Sequence, residues 1–526
     1  MIRRLLRHPA SAALLSGLLL AAAFPPVNFG ALGFVALAPL IWAAGRVRPR
    51  AGFGLGVLAG FVFFGILYDW IDLFAYGKAG ALGVAAGLLL SLIMALFVGV
   101  FGAAASAVQR SAALPAWLKL LAPPSVWALC EYVRQLGSLG MGWGDLGYTQ
   151  WSDLPLLCIA PLAGIWGMSW CAALINTAVA SLRPRRIAAA LAITAAMALG
   201  GLAARLPVHA AGPAFTAAAL QGDIDQNVYW SGLRPEDPAY YLATLHTFDA
   251  MARQAGARGA KLCVLPETAD PGYIRFDQDL AARTRAIASD SGCWLLTGGR
   301  DIDQATNLQR NVAVLVPPAG DPPDLQMYAK QQLVPFGEYV PFASTLTWLS
   351  VLHMADFNME PGAPDQPALA AGPPVGKVGV AICYESTYPR FLREQTRAGA
   401  NLLTVITDDT WFGRTAAARQ HMQMAAVRAA ESDRWLVRSA ATGISCIFAP
   451  DGREMDEIGL FRRGISLHRV VPLAGETVFI RFGDWFAALC ALIAACTLAL
   501  GLRRAPPAQK SVENPRPPQE AAAQSQ

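Results

Sequence analysis

The chain has 526 residues, of which 54% are hydrophobic and only 15% charged, with a formal net charge of +5. Soluble domains carry ~25% charged residues, and a mean hydropathy of +0.37 over this length excludes one soluble core, so at least two structural units are expected. Lys and Arg are not gathered with aromatics into the basic face that a nucleic-acid partner requires.

A membrane span needs roughly 20 mostly apolar residues. Seven stretches before residue 206 meet that pattern, at about 11–25, 30–45, 52–74, 80–108, 116–134, 155–182 and 186–204. One more lies at about 484–502, so about eight transmembrane helices are expected. The fifth holds Pro123-Pro124, Lys119 and Glu131 and fits least well. Arg3-Arg4 before the first run also fits a signal peptide, but Phe24-Pro25-Pro26 is a poor cleavage site.

Short loops rich in Lys and Arg favour the cytoplasm. Arg3, Arg4 and Arg7 precede the first run; Arg46, Arg48 and Arg50 follow the second, Arg110 the fourth, and Arg183, Arg185 and Arg186 the sixth. Arg503, Arg504 and Lys510 follow the last. Asp69, Asp72, Asp145 and Asp153 fall in the opposite set of loops. This alternation predicts a membrane domain over 1–205, a domain outside the cytoplasm over 206–482, a last span over 483–503, and both termini inside. The tail 504–526, rich in Pro, Gln, Ala and Ser, is expected to be disordered.

Within 206–482 charges are scattered and apolar runs are short. Strand-like runs at about 215–221, 261–265, 293–299, 311–316, 376–382, 401–407, 434–440 and 444–449 alternate with helical patterns near 238–256, 277–289, 387–398 and 414–430. Such alternation predicts a layered α/β domain. Its catalytic groups should lie just past strand ends, and three candidates do: Glu267 in Leu-Pro-Glu-Thr, Lys330 before Gln-Gln-Leu-Val-Pro-Phe-Gly-Glu, and Cys383 in Ile-Cys-Tyr-Glu-Ser.

Each candidate has a plainer reading. A cysteine ending an apolar strand is commonly a small buried hydrophobe; Glu267, Lys330 and Glu338 would by default be solvated loop charges. What favours Cys383 is the predicted helix start after it, where a thiolate is stabilised. Cys263, Cys293 and Cys446 lack that setting and read as core. Together the three candidates supply the nucleophile, base and cation that thiol-based acyl transfer needs. His421 sits within a helical pattern and reads as structural, and Met422, Met424, Trp411 and Phe412 read more readily as packing than as a cofactor box. The odd count of nine cysteines, several within apolar runs, does not fit a disulfide framework. No zinc-ligand spacing or cofactor motif is present, so neither metal nor cofactor is expected.

Residues 215–470 resemble the nitrilase (carbon-nitrogen hydrolase) superfamily, and nearly the whole chain resembles its apolipoprotein N-acyltransferase branch. The resemblance rests on Gln221-Gly222-Asp223 with Trp230 downstream, Leu265-Pro266-Glu267-Thr268, and Lys330 followed by Leu333-Val334-Pro335-Phe336-Gly337-Glu338-Tyr339-Val340-Pro341. It rests also on Cys383-Tyr384-Glu385, Asp409-Thr410-Trp411-Phe412-Gly413, Arg438 with Thr442-Gly443-Ile444-Ser445, Gly142-Trp143 with Leu146–Gln150, and Gly164-Ile165-Trp166-Gly167. Asp408 and Thr442 depart from the asparagines common in the family. The resemblance implies an αββα sandwich with Glu267, Lys330 and Cys383 as the catalytic set. Glu338 would hold Lys330, with Tyr384, Glu385, Trp230 and Trp411 supporting the site or binding substrate. It implies transfer of a fatty acyl chain from a membrane phospholipid, through a Cys383 thioester, to the α-amino group of S-diacylglyceryl cysteine in an apolipoprotein, at the periplasmic face of a bacterial inner membrane. A membrane-tethered hydrolase and a non-catalytic lipid binder remain open from the residues alone. The apolar stretch 342–357, from Phe342 to Phe357, reads either as core or as a membrane-dipping lid.

Overall fold

The computed structural model describes residues 8–224, 238–270, 272–303, 305–320, 325–341 and 359–502. Trp230, the stretch 342–357, Arg3, Arg4, Arg7 and the tail 504–526 lie outside the described residues.

The N-terminal part is helical. In chain order its helices are α1 (Pro9–Ala23), α2 (Ala38–Ala44), α3 (Pro49–Leu67), α4 (Asp69–Ala79), α5 (Ala81–Arg110), α6 (Leu118–Arg134), α7 (Leu154–Leu157), α8 (Ala160–Ala180) and α9 (Pro184–Ala204). By length and composition α3, α5, α8 and α9 can cross a membrane; α1, Gly30–Ala44 and Trp485–Gly501 are apolar but shorter. Most residues of α8 are buried and few of α9, so α8 forms the centre of the bundle and α9 its rim.

Two expected spans are broken. The run 30–45 opens as a 3-10 helix, Gly30–Phe34, before α2 begins. Free backbone groups at such a break must be satisfied internally where no water reaches. Asn176 of α8 does this: its Oδ1 accepts from Leu37 N (2.7 Å) and Ala38 N (3.1 Å), and its Nδ2 donates to Gly33 O (2.7 Å). The run 52–74 divides at Tyr68, whose hydroxyl donates to Trp143 O at 3.1 Å. Of the charges that make the fifth run fit poorly, Lys119 is half-buried and donates to Gln109 O at 3.3 Å, while Glu131 is buried, as is Arg134 at the helix end. Glu131 accepts from Trp127 Nε1 (2.6 Å) and Leu146 N (2.7 Å), and Arg134 pairs with Asp145.

Helices α3 and α5 approach closely because small residues face each other. A Cβ on Gly56 would lie 2.2 Å from Val98 O, and one on Gly102 2.3 Å from Gly52 O. Gly52, Gly56 and Gly60 repeat every four residues, the spacing that puts backbones in contact in apolar surroundings.

The second part is a sandwich. In chain order its strands are β1 (His209–Ala210), β2 (Phe215–Gln221), β3 (Ala260–Val264), β4 (Trp294–Ile302), β5 (Gln309–Val316), β6 (Gln326–Ala329), β7 (Leu369–Ala370), β8 (Lys377–Ile382), β9 (Leu402–Thr407), β10 (Leu436–Ala440), β11 (Cys446–Phe448), β12 (Gly464–Val470) and β13 (Leu473–Ala474). One sheet has the order β12-β2-β3-β4-β5-β6 and the other β11-β10-β9-β8-β7, while β1 and β13 pair separately. The sequence pattern misses β6 and β12, since β6 is only four residues long and β12 alternates weakly with solvent.

Strand alternation divides the side chains into layers. Ala217, Ala219, Leu262, Val264 and Leu296 of one sheet meet Val378, Val380, Ile382, Leu402 and Val437 of the other. On the outer face of the first sheet, Ala218, Leu220, Cys263 and Leu295 pack under α10 (Pro238–Ala257) and α11 (Gln278–Ser291). On the outer face of the second, Ala381, Leu403, Val405 and Leu436 pack under α12 (Pro389–Arg397) and α13 (Ala417–Ser432). This is an αββα sandwich. The chain then returns through α14 (Val478–Phe482) to the apolar α15 (Trp485–Leu502), which packs along α6 and α8.

Helix α13 joins the two parts. Met422, Ala425 and Ala429 face the sheet, while Ala417, Met424, Val427 and Ala430 belong to the core of the helical bundle. Its polar residues reach across. Gln420 accepts from Trp143 Nε1 (2.7 Å) and donates to Pro25 O (3.0 Å), and Gln423 donates to Asn28 Oδ1 (2.8 Å). Glu431 Oε1 accepts from Ile165 N (2.8 Å), a group set free where α8 kinks at Gly164, φ +62°.

Candidate active site

Three strand ends converge at one end of the sandwich. Glu267 follows β3, Lys330 follows β6 and Cys383 follows β8. The Glu267 loop runs against β4 at Gly298, where a Cβ would lie 2.6 Å from both Pro266 O and Glu267 Cα. Lys330 is held by its backbone: its N–H donates to Asn311 O and its carbonyl accepts from Gly362 N, both at 2.8 Å.

Lys330 is 1% exposed, and a buried ammonium is tolerable only when paired. Its Nζ lies 2.8 Å from Glu338 Oε1 and 3.2 Å from Glu267 Oε1. Asn311 Nδ2 bridges the same two oxygens, at 2.7 Å to Glu267 and 3.2 Å to Glu338. Glu267 Oε2 accepts from Asp408 N at 2.7 Å and Glu338 Oε2 from Val334 N at 2.8 Å. Burial alone would lower the Lys330 pKa, but the two carboxylates override it and hold the pKa well above the usual lysine value.

Cys383 is partly exposed and has φ +52°, a conformation unusual for a non-glycine residue. Sequence reading places it at a helix start that stabilises thiolate. In the fold it instead opens a five-residue 3-10 turn, Cys383–Thr387, and α12 begins only at Pro389. Burial first, then the Glu267 carboxylate, push the thiol pKa well above its ordinary value; Lys330 pulls it down and Asp409 pushes it further up. The thiol therefore rests protonated, and a base is required.

Glu385, fully buried, ties the Cys383 turn to the Lys330 loop. Its Oε1 accepts from Tyr328 Oη (3.1 Å), Gln331 N (2.7 Å) and Gln332 N (3.3 Å), and its Oε2 from Ile382 N (2.7 Å). Burial raises its carboxyl to about 7 against these donors. Tyr384 Oη donates to Gly140 O at 2.9 Å, Tyr388 Oη donates to the same carbonyl, and Gln332 Nε2 donates to Ser138 O at 3.3 Å. The loop after α6 thus floors the site. Trp411, on the short helix Asp409–Phe412, meets Phe74 of α4 edge-on, with centroids 5.8 Å apart.

Two groups of residues escape the sequence reading. Asn311 is one; it follows Gln309 and Arg310 at the polar end of β5, so the pattern does not set it apart from a solvated strand end. The other is a grouping rather than its members: behind Cys383, His421, which the sequence gives a structural role, faces Asp409, Arg438, Ser386 and the Cys383 carbonyl. Asp408, a departure from the family pattern, accepts from Thr410 N at 3.1 Å, and burial raises its carboxyl to about 7. Thr442, the other departure, donates to Thr410 Oγ1 at 3.0 Å. Among the described residues no His, Cys, Asp or Glu cluster could hold a metal ion.

Comparison with known proteins divides the chain as the structure does. Residues 16–178 match the apolipoprotein N-acyltransferase N-terminal domain, and residues 216–477 match the carbon-nitrogen hydrolase family. The chain is similar to an apolipoprotein N-acyltransferase of Geobacter metallireducens, at 34% identity over 94% of this chain and 95% of that one. It is similar also to the Pseudomonas syringae pv. tomato apolipoprotein N-acyltransferase, at 31% identity over 91% and 94%. Among solved structures, a Saccharomyces cerevisiae member of branch 10 of the nitrilase superfamily covers 55% of this chain at 17% identity and a TM-score of 0.38, with 96% of that chain covered. With both parts matched and such relatives aligned nearly end to end, the chain belongs to the apolipoprotein N-acyltransferase family.

Proposed function

We propose that the chain transfers a fatty acyl group from a membrane phospholipid to the α-amino group of an S-diacylglyceryl cysteine at the N-terminus of a lipoprotein, through a thioester on Cys383. The observation that carries this reading is a buried Lys330–Glu267 pair, joined by the half-buried Glu338, facing Cys383 on the side of the sandwich seated on an apolar helical bundle. A water-soluble amide substrate would need no such floor.

In the first half-reaction Glu267 takes the Cys383 proton, and Sγ attacks the ester carbonyl carbon. Lys330 Nζ and the Tyr384 N–H stabilise the tetrahedral oxyanion. Its collapse breaks the ester C–O bond, and the lysophospholipid oxygen leaves with the proton held on Glu267. In the second half-reaction the lipoprotein amine attacks the thioester, Glu267 accepts the amine proton and returns it to Sγ, and the amide is released. Glu338 and Asn311 keep Lys330 aimed, and Glu385 fixes the spacing of the two loops.

The eight apolar segments are read as spans of a bacterial inner membrane. Both termini are cytoplasmic, residues 1–205 and 483–503 form the membrane domain, and residues 206–482 lie on the periplasmic side. The alternation of arginine-rich loops supports that orientation. The test is a reconstituted assay with labelled phospholipid and a diacylated lipopeptide. Triacylated product with stoichiometric lysophospholipid supports the reading. Fatty acid released without product would make the chain a hydrolase, and no turnover would make it a lipid binder.

A further inference from the structure

The Cys383 peptide is clamped from behind. Ser386 Oγ donates to Cys383 O at 2.8 Å, and His421 Nε2 lies 2.8 Å from Ser386 Oγ and 3.2 Å from Cys383 O. On the far side of the ring, Nδ1 lies 3.0 Å from Asp409 Oδ1 and 3.3 Å from Arg438 Nη2, and Arg438 Nη2 also donates to Asp409 Oδ2 at 2.6 Å. His421 and Arg438 are fully buried, and the imidazole packs against Trp143 and Phe412 with ring centroids 5.5 and 6.0 Å away. Nothing about this group touches the reacting sulfur, yet it converges on the one residue of the turn that is held in a left-handed conformation.

A strained residue persists only where its surroundings fix it. With Ser386 donating to the carbonyl, its oxygen is an acceptor toward the ring, so hydrogen on Nε2 serves both Ser386 Oγ and Cys383 O, while hydrogen on Nδ1 donates to the Asp409 carboxylate. Hydrogen on Nδ1 alone would turn the Ser386 hydroxyl toward Nε2 and take both side-chain donors from the carbonyl. A peptide is planar, and in the trans form its C=O and N–H point in opposite directions. Fixing the Cys383 carbonyl toward His421 therefore aims the Tyr384 N–H away from His421.

We propose that His421 is a positioning residue: by holding the Cys383 carbonyl, it orients the Tyr384 N–H that receives the oxyanion. This rests on the acyl-transfer reading above. Asp409 and Arg438 act one step further back, by fixing the ring. Burial, with the Arg438 cation next, lowers the His421 pKa, and the Asp409 carboxylate paired with Nδ1 opposes them.

The test separates an oxyanion-dependent reaction from one that forms none. In the full-length protein, His421→Phe keeps the aromatic packing and removes Nε2–H; His421→Gln keeps a donor near Nε2. Loss of one oxyanion donor typically costs ~10²–10³-fold in rate. The expected result for His421→Phe is a fall of about 10²-fold in acyl transfer from phospholipid, while alkylation of Cys383 by iodoacetamide changes by less than about 3-fold. His421→Gln should recover about 10-fold of the loss. If His421→Phe does not fold, Ser386→Ala, which deletes one hydroxyl, should show the same separation at about 10-fold. Parallel losses in transfer and alkylation, unchanged transfer, or no recovery with Gln would each overturn the proposal. Acyl transfer retained in Cys383→Ala would instead overturn the thioester reading, which keeps the two failures apart.

Discussion

At the residue scale the site works by opposed charges on one sulfur. Glu267 raises the Cys383 pKa and Lys330 lowers it, so the two substitutions move the thiol in opposite directions. Glu267→Gln removes the carboxylate that disfavours thiolate, so at pH 7–8 alkylation of Cys383 by iodoacetamide should become faster. Acyl transfer should nevertheless fall by at least ~10²-fold, because the base is lost. Lys330→Ala should slow both, with acyl transfer down ~10²–10³-fold. In the unsubstituted protein the thiolate fraction is small at neutral pH because the folded pKa lies above the ordinary thiol value, so the alkylation rate should keep climbing as pH rises past 8. A plateau near pH 7 would contradict that protonation state. Glu267 and Cys383 can be read from the sequence because each ends a predicted strand within a short recognisable motif, and Lys330 because a long specific motif follows it, although the strand before it is missed. Asn311 and His421 cannot: one sits inside a strand and the other inside a helix, and their partners lie far away along the chain. Polar partnerships across strands leave no periodic trace.

At the element scale, the closeness of α3 and α5 depends on particular glycines. Gly56→Leu should destabilise the detergent-solubilised protein by ~1–3 kcal/mol or more through overpacking, since any side chain there meets the α5 backbone. Gly54→Leu, on the same helix with nothing within 4 Å of a built Cβ, should leave the melting temperature nearly unchanged. Equal effects would contradict the packing account. Asn176→Leu should cost ~1–3 kcal/mol for each backbone group it strands at the start of α2 and at Gly33. Hydropathy shows where apolar runs lie, but not that the second and third are interrupted. The break before α2 depends on an asparagine in α8, more than a hundred residues away in sequence. The layered α/β pattern is plain where strands are long and buried. It fails at β6 and β12, whose short length or mixed exposure weakens the alternation.

At the scale of the whole molecule, α13 makes the sandwich and the bundle one unit. One face of it packs on the second sheet, while Ala417, Met424, Val427 and Ala430, with Phe479 of α14, lie in the bundle's core. Residues 206–482 expressed alone should therefore expose that apolar face and associate or precipitate; a monodisperse, active fragment would contradict this coupling. The same junction sets the Cys383 turn against the loop after α6, where Tyr384 and Tyr388 share the Gly140 carbonyl. Bundle and sandwich thus build the floor of the site together, as expected for an enzyme whose two substrates are both lipids. The most direct test is to incubate the reconstituted protein with acyl-labelled phospholipid, without acceptor, and track the label by mass spectrometry of the intact protein. The expected result is one acyl group, labile to hydroxylamine and located on Cys383, that is chased onto a diacylated lipopeptide when acceptor is added. Label absent from Cys383 while triacylated lipopeptide still forms would contradict it.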